Sequence, residues 1–211
     1  MEDCLFRFFG RKENVPRDVL DRTYHYTGFG FNQKAFSTMA NSYKDGADQL
    51  ADSQRHYNVQ YNTDLIYPIF FCYRQSLELI LKAVICNLFI PINRARSNQE
   101  GLVIRERLNG HGLMDLFNRI RRRIEDKGVI GSYYQLLTDI RPYVEAFDNF
   151  DRTSFGMRYP AGKDLAPVKS QEDLMRYDIQ YTSEHYDHVW KLLRELYEKS
   201  QKDWSDGLFV V

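Results

Sequence analysis

The residues that could do chemistry in this chain are an arginine–glutamate pair, one histidine and a later arginine. Arg74 and Glu78 are four residues apart in an apolar stretch, where a helix would place them on one face and where charge is costly unless paired. His111 lies between two glycines ahead of a second apolar pattern, and Arg158 follows later in the sequence. An imidazole can exchange a proton while guanidinium groups bind an anion, so one cleft holding these four side chains would suit a phosphate.

Each of these residues also has a structural interpretation. Arg74 and Glu78 could form a pair that only supports helix packing, and His111 could hydrogen-bond locally at a helix N-terminus. His185 and His188 have a spacing that could share a metal ion, but a helix turns them about 60° apart. We therefore interpret them as one histidine at a helix seam and one more exposed, and we predict no metal site.

A run of arginines follows His111, at positions 119, 121, 122 and 123. From residue 90 to residue 127 the sequence has nine Lys or Arg against five Asp or Glu. This local excess is typical either of a solvated helix face or of a phosphate-binding strip.

Composition excludes several classes of function. The 211 residues suit one domain with or without an extension, and 29 basic against 29 acidic residues exclude a polybasic nucleic-acid arm as the main feature. Walker, dinucleotide-binding, HExxH, GxSxG and CxxC motifs are absent from the sequence, so it implies no cofactor. The 15 Tyr and 14 Phe favour polar seams or an aromatic interface.

Targeting signals are also lacking in the sequence. The first residues are acidic and contain no long apolar run, and the longest mainly apolar segment, 83–92, is about half the length that a bilayer requires. The three cysteines, Cys4, Cys72 and Cys86, indicate no disulfide framework. We expect a protein that does not enter a membrane and that works in the cytoplasm.

The elements that would position these residues are mainly helices. Apolar residues recur every three or four positions from about 63 to 89 and cover nearly the whole surface, which predicts a central helix surrounded by others. The pattern predicts further helices over about 32–57, from His111 to Lys127, from Ser132 with a kink or break at Pro142, and from Ser183 to Lys202. Residues 155–181 allow for one small β-hairpin, whose returning strand would span 174–181. The predicted fold is a mainly α bundle of four to five helices.

Three short segments resemble the HEPN superfamily. They are 73–83 (YRQSLELILKA), 110–116 (GHGLMDL) and 155–160 (FGMRYP), and the resemblance covers about residues 62–200. It implies a bundle over 61–211, with 1–60 as an N-terminal extension and first helix. Many members are metal-independent endoribonucleases of toxin–antitoxin, phage-defence and CRISPR systems. Others are non-catalytic modules that bind a nucleotide or a protein partner.

The resemblance also implies site residues. Active members have an arginine, four to six residues and then a histidine, which corresponds here to Arg105 and His111. His111 would then be the general acid/base for attack by the RNA 2′-hydroxyl, with Arg105, Arg158 or Arg74 stabilising the phosphorane charge. Glu78 and Tyr159 complete the implied substrate-binding set with Arg74. The resemblance implies a homodimer that binds RNA or nucleotide, and the alternative is a non-catalytic module for dimerisation or partner binding.

Overall fold

The protein is described by a computed structural model that covers residues 33–56, 65–89, 106–151, 158 and 178–209, all within one unit of the chain. These residues form five helices: α1 (Gln33–His56), α2 (Ile66–Phe89), α3 (Leu113–Asp126), α4 (Ile130–Phe150) and α5 (Ile179–Ser205). A single helical turn at 106–108 precedes α3. The described ranges contain no β-strand, so the prediction of a mainly α bundle is confirmed.

Helix α2 is the centre of the bundle. It packs against α1, α3 and α5, and its side chains from Ile69 to Leu88 are mostly buried, as its two-sided apolar pattern predicts. Pro68 lies in its first turn, where a missing N–H breaks no helical bond. Helix α1 packs most extensively on α2, because its buried face carries the small residues Ala40, Ala47 and Ala51.

Helices α3 and α4 are joined by a tight turn and pack against each other. α3 ends at Asp126, and Gly128 then adopts a φ of 70°, a left-handed conformation that glycine takes without a Cβ clash. α4 runs without a break through Pro142, so the break predicted there as one alternative is absent. Pro142 has no N–H, so the carbonyl of Thr138, four residues earlier, lacks its helical donor. Both residues are exposed, and water can donate a hydrogen bond to that carbonyl.

The start of the last helix was predicted four residues too late. α5 begins at Ile179 instead of Ser183, because the Asp178 carboxylate accepts from the Tyr181 backbone N–H at 2.8 Å and caps the helix. Residues 179–181, predicted as the end of a β-strand, therefore form the first turn of α5. The rest of the predicted hairpin lies outside the described residues, apart from residue 158 and the capping residue Asp178.

A polar network joins α1, α2 and α5 inside the bundle. The Tyr73 hydroxyl donates to Asp48 at 2.8 Å, and the Tyr186 hydroxyl lies 2.5 Å from that of Ser76. Lys44 bonds Asp48 on its own helix and Asp187 on α5. Such paired polar groups favour one arrangement of the three helices.

Two further expectations concern larger features of the chain. The boundary predicted between residues 60 and 61 falls outside the described residues. No helix within the described part of the chain is long and apolar enough to cross a membrane.

Candidate functional site

Three parts of the fold meet at a cluster of charged groups that we call the Arg74 cluster, consisting of Arg74, Glu78, Lys82, His111 and the backbone of Asp151. Helix α2 supplies the first three, each four residues after the last, so that they lie along one face. His111 lies in the loop two residues before α3, and Asp151 directly follows α4.

Arg74 is the buried centre of the cluster, with a side chain only 1% exposed. Its Nε donates to the Asp151 carbonyl at 2.7 Å, one terminal nitrogen donates to Glu78 Oε2 at 3.1 Å, and the other donates to the His111 carbonyl at 2.5 Å. A planar guanidinium can bond several acceptors at fixed angles, and here it links α2 to the start of α3 and the end of α4. Its main role in this geometry is to hold the cluster together.

Glu78 is 2% exposed and bonds three positively charged or titratable partners. Oε2 accepts from Arg74, while Oε1 accepts from Lys82 Nζ at 2.7 Å and lies 3.0 Å from His111 Nδ1. Burial by itself raises the pKa of the Glu78 carboxyl, but the Lys82 charge and the hydrogen bonds from Lys82 and His111 outweigh it, and the pKa lies below its ordinary value. Glu78 is therefore an anion at neutral pH.

The His111 ring is held at one nitrogen, and the side chain is 61% exposed. A carboxylate without a proton only accepts hydrogen bonds, so the contact with Glu78 places the hydrogen on Nδ1. In the neutral ring Nε2 then carries the lone pair. The backbone is fixed as well, because the His111 carbonyl accepts from Arg74.

The loop around His111 is held by residues of α3 and α4. The Asp148 carboxylate accepts from the Leu113 N–H at 2.6 Å and so caps the first residue of α3. Arg119 donates to the Arg107 and Asn109 carbonyls at 2.9 and 2.7 Å, and Gly110 adopts a φ of 95°. These contacts hold the backbone on both sides of His111.

The structure brings together three of the four residues predicted to share a cleft: Arg74, Glu78 and His111. Arg158 lies with its guanidinium carbon 5.8 Å from the centre of the Phe71 ring, one turn before Arg74 on α2. Arg105 and Tyr159 lie outside the described residues.

Sequence reasoning missed two members of the Arg74 cluster, Lys82 and Asp151, and it also missed Asp148, which holds the adjoining loop. Lys82 could have been found, because it follows Glu78 by four residues on a predicted helix. Asp148 and Asp151 carry no such signal, since they act from the far end of α4 through a cap and a backbone carbonyl.

The arrangement can support proton transfer by an exposed imidazole. A buried anion that orients an imidazole whose side chain is 61% exposed is the geometry of a general base, and Lys82 supplies a positive charge on the same carboxylate oxygen. The described part of the chain contains no group of three or more His, Cys, Asp or Glu side chains that could hold a metal ion.

Comparisons with protein-family models, with curated proteins and with solved structures give no match for this chain.

Proposed function

We propose that this chain is a HEPN-like protein that binds RNA and cleaves it without a metal ion, with His111 as the general acid/base. The observation that carries this proposal is the contact between buried Glu78 and exposed His111, at 3.0 Å between Oε1 and Nδ1. An exposed histidine with no role beyond solubility would not need a buried carboxylate to orient it. The resemblance of residues 73–83 and 110–116 to HEPN proteins supplies the substrate class.

The proposed reaction is a transesterification within the RNA. His111 Nε2 takes the proton of a 2′-hydroxyl, the 2′-oxygen bonds to the adjacent phosphorus, and the bond to the 5′-oxygen breaks. The products are a 2′,3′-cyclic phosphate and a 5′-hydroxyl, and the proton for the leaving oxygen comes from water or from a protonated histidine. Positive charge near the phosphate stabilises the transition state, a role that the resemblance gives to an arginine such as Arg105 or Arg158.

A second candidate function is a non-catalytic module that dimerises or binds a partner protein. The observation that favours it is the state of Arg74, whose three hydrogen bonds are all with acceptors of the protein itself. A guanidinium that is 1% exposed and bonded in this way stabilises the fold and is not accessible to a substrate. The two candidates differ in whether the His111 ring takes part in a reaction.

The test is incubation of the purified protein with end-labelled RNA, with and without EDTA. We expect cleavage in both conditions, products that carry a cyclic phosphate, and a loss of about 10²- to 10⁴-fold in rate for His111→Ala. His185→Ala is the matched control, because His185 is also exposed but its Nδ1 bonds only the Tyr181 carbonyl of its own helix turn.

The outcomes separate the two candidates. Cleavage that EDTA abolishes, or that His111→Ala leaves at the wild-type rate, contradicts the proposed mechanism. An absence of cleavage with a folded wild-type protein selects the non-catalytic module. The resemblance to toxin and phage-defence proteins adds one further measurement. Induced expression of the wild-type protein should arrest bacterial growth, and His111→Ala should relieve this arrest.

A further inference from the structure

A group of arginines lies beside the His111 loop and is not used by the Arg74 cluster. We call it the arginine surface, and it consists of Arg107, Arg119, Arg122 and Arg123. Positions 119, 122 and 123 lie on neighbouring rows of α3, because residues three and four apart in a helix share a side. Arg107 precedes α3 and is joined to it by the bond from Arg119 to its carbonyl.

We infer that the arginine surface binds the phosphate backbone of RNA and directs the strand toward His111. This inference rests on the proposed function, since it names the path of the same substrate. Its first support is the crowding of like charges. The guanidinium carbons of Arg107 and Arg123 lie 5.2 and 5.0 Å from the centre of the same Phe89 ring.

The second support is the lack of neutralising partners. Within the described residues no carboxylate lies at ion-pair distance from any member of the arginine surface, although the whole chain has as many acidic as basic residues. Burial lowers the pKa of Arg123, the charge of Asp126 opposes this, and the charge of Arg107 lowers the pKa further. Clustered cations that repel one another gain from a bound polyanion.

The third support is the position of Arg119. Its Nη1 donates to the Asn109 carbonyl, and its Nη2 lies 3.9 Å from the place where a Cβ of Gly110 would be. Gly110 directly precedes His111, so this guanidinium lies beside the backbone that leads into His111. A strand bound across the arginine surface would therefore have a phosphate near His111.

The charge and geometry fit a nucleic-acid backbone better than an acidic protein. Arginines bind phosphate oxygens by paired hydrogen bonds, and a strand offers phosphates at regular intervals that can bridge several arginines. Arg107 and Arg123 both lie over the Phe89 ring, and a strand held by its phosphates does not require a base to stack on that ring. The occupant we propose is thus single-stranded RNA held by its phosphates.

The experiment measures binding without cleavage. A fluorescent RNA about 12 nucleotides long, methylated at every 2′-oxygen so that it has no attacking hydroxyl, is titrated with the full chain at increasing KCl. The test variant is Arg107→Gln/Arg122→Gln, because both side chains are exposed and their replacement should change the free energy of unfolding little. We expect weaker binding and a slope of log K against log salt that is smaller by about 0.7 for each arginine removed.

The matched control is Arg121→Gln. Arg121 is on the same helix, but it pairs with Glu125 at 2.8 Å and lies two residues from Arg123, on nearly the opposite side of α3. It should keep the wild-type affinity and salt slope. Arg119→Lys provides a second test variant, which keeps the charge and loses the paired donors.

The outcomes distinguish this inference from the proposed function. Wild-type affinity and slope in Arg107→Gln/Arg122→Gln, or an equal loss in Arg121→Gln, would overturn the arginine surface as the binding site. Equal affinity for an acidic peptide of the same charge would overturn RNA as its occupant. Binding that follows the arginine surface in a protein that never cleaves RNA would support this inference while the proposed ribonuclease fails. If the wild-type protein binds no RNA, the proposed function and this inference both fail.

Discussion

The Arg74 guanidinium and the His111 backbone are joined by a hydrogen bond of 2.5 Å, across 37 residues of sequence. A buried cation of the central helix thus holds the residue whose ring is exposed. The same guanidinium also bonds Glu78, which holds the ring itself. One buried side chain therefore supports both the backbone and the ring of His111.

Replacement of Arg74 should be strongly destabilising. Arg74→Met leaves the Asp151 and His111 carbonyls and one oxygen of Glu78 without a buried donor, at a cost of about 3–5 kcal/mol. Urea unfolding measures this cost. Arg121→Met is the matched control, because its pair with Glu125 is exposed and worth about 0–1 kcal/mol. A loss below about 1 kcal/mol for Arg74→Met would show that the cluster does not hold the fold together.

Replacement of Leu77 tests the position of α2 at the centre of the core. Leu77 is fully buried, so Leu77→Ala removes core contacts and should cost about 2–5 kcal/mol. Leu208, which is 41% exposed, provides the control, and Leu208→Ala should change the unfolding free energy by about 0.5 kcal/mol or less. Similar values for the two variants in denaturant unfolding would count against a central α2.

The pH dependence of stability should report on Glu78. Because its pKa is lowered in the folded protein, the unfolded chain takes up the proton first as pH falls. The stabilising contribution is complete above the ordinary pKa of 4.5 and is lost as pH falls through the lower folded value. Wild type should exceed Glu78→Gln in unfolding free energy at neutral pH, and the gap should narrow in acid. A gap that is constant from neutral to acid pH would contradict this assignment.

Alkaline titration should separate the tyrosines into two groups. Burial is the main cause that raises the pKa of Tyr73, Tyr133, Tyr186 and Tyr197. These phenols stay neutral in the folded protein, so stability should fall as pH rises above about 10, where the unfolded chain ionises first. Absorbance of the phenolate should show fewer than all 15 tyrosines titrating before unfolding. Tyr133→Phe should remove one of the tyrosines that titrate only when the protein unfolds. A single titration of all 15 tyrosines near the ordinary pKa would contradict the prediction.

The expected homodimer remains a prediction that light scattering can test. Three tyrosines, Tyr67, Tyr134 and Tyr181, are 54, 64 and 59% exposed, and aromatic side chains are enriched in protein–protein interfaces. We expect the dimer mass at micromolar concentration. A monomer mass that does not change with concentration would contradict it.

Local sequence patterns sufficed to predict the main features of the fold. The apolar periodicity of α2 and the Lys127–Gly128 stop of α3 follow from rules that act within a few residues. The start of α5 was missed because Asp178 caps it, and a capping aspartate resembles any loop aspartate in sequence.

The candidate site was less predictable, for a different physical reason. Arg74, Glu78 and His111 stood out as charged groups in apolar or glycine-rich surroundings. Two of the acceptors of Arg74 are backbone carbonyls, which every residue type supplies, so no sequence pattern marks them. The function of Asp148 depends in the same way on a contact with a residue 35 positions away.

The cap that Asp148 provides to Leu113 couples the unfolding of two helix ends. Asp148 belongs to the last turn of α4, so fraying of that turn withdraws the carboxylate and leaves the first amide of α3 without its acceptor. Each time the end of α4 frays, the amide of Leu113 therefore loses the hydrogen bond that protects it from hydrogen exchange. The loop that carries His111 is next to this hydrogen bond, and its local stability is set partly by a helix end that lies far from it in sequence.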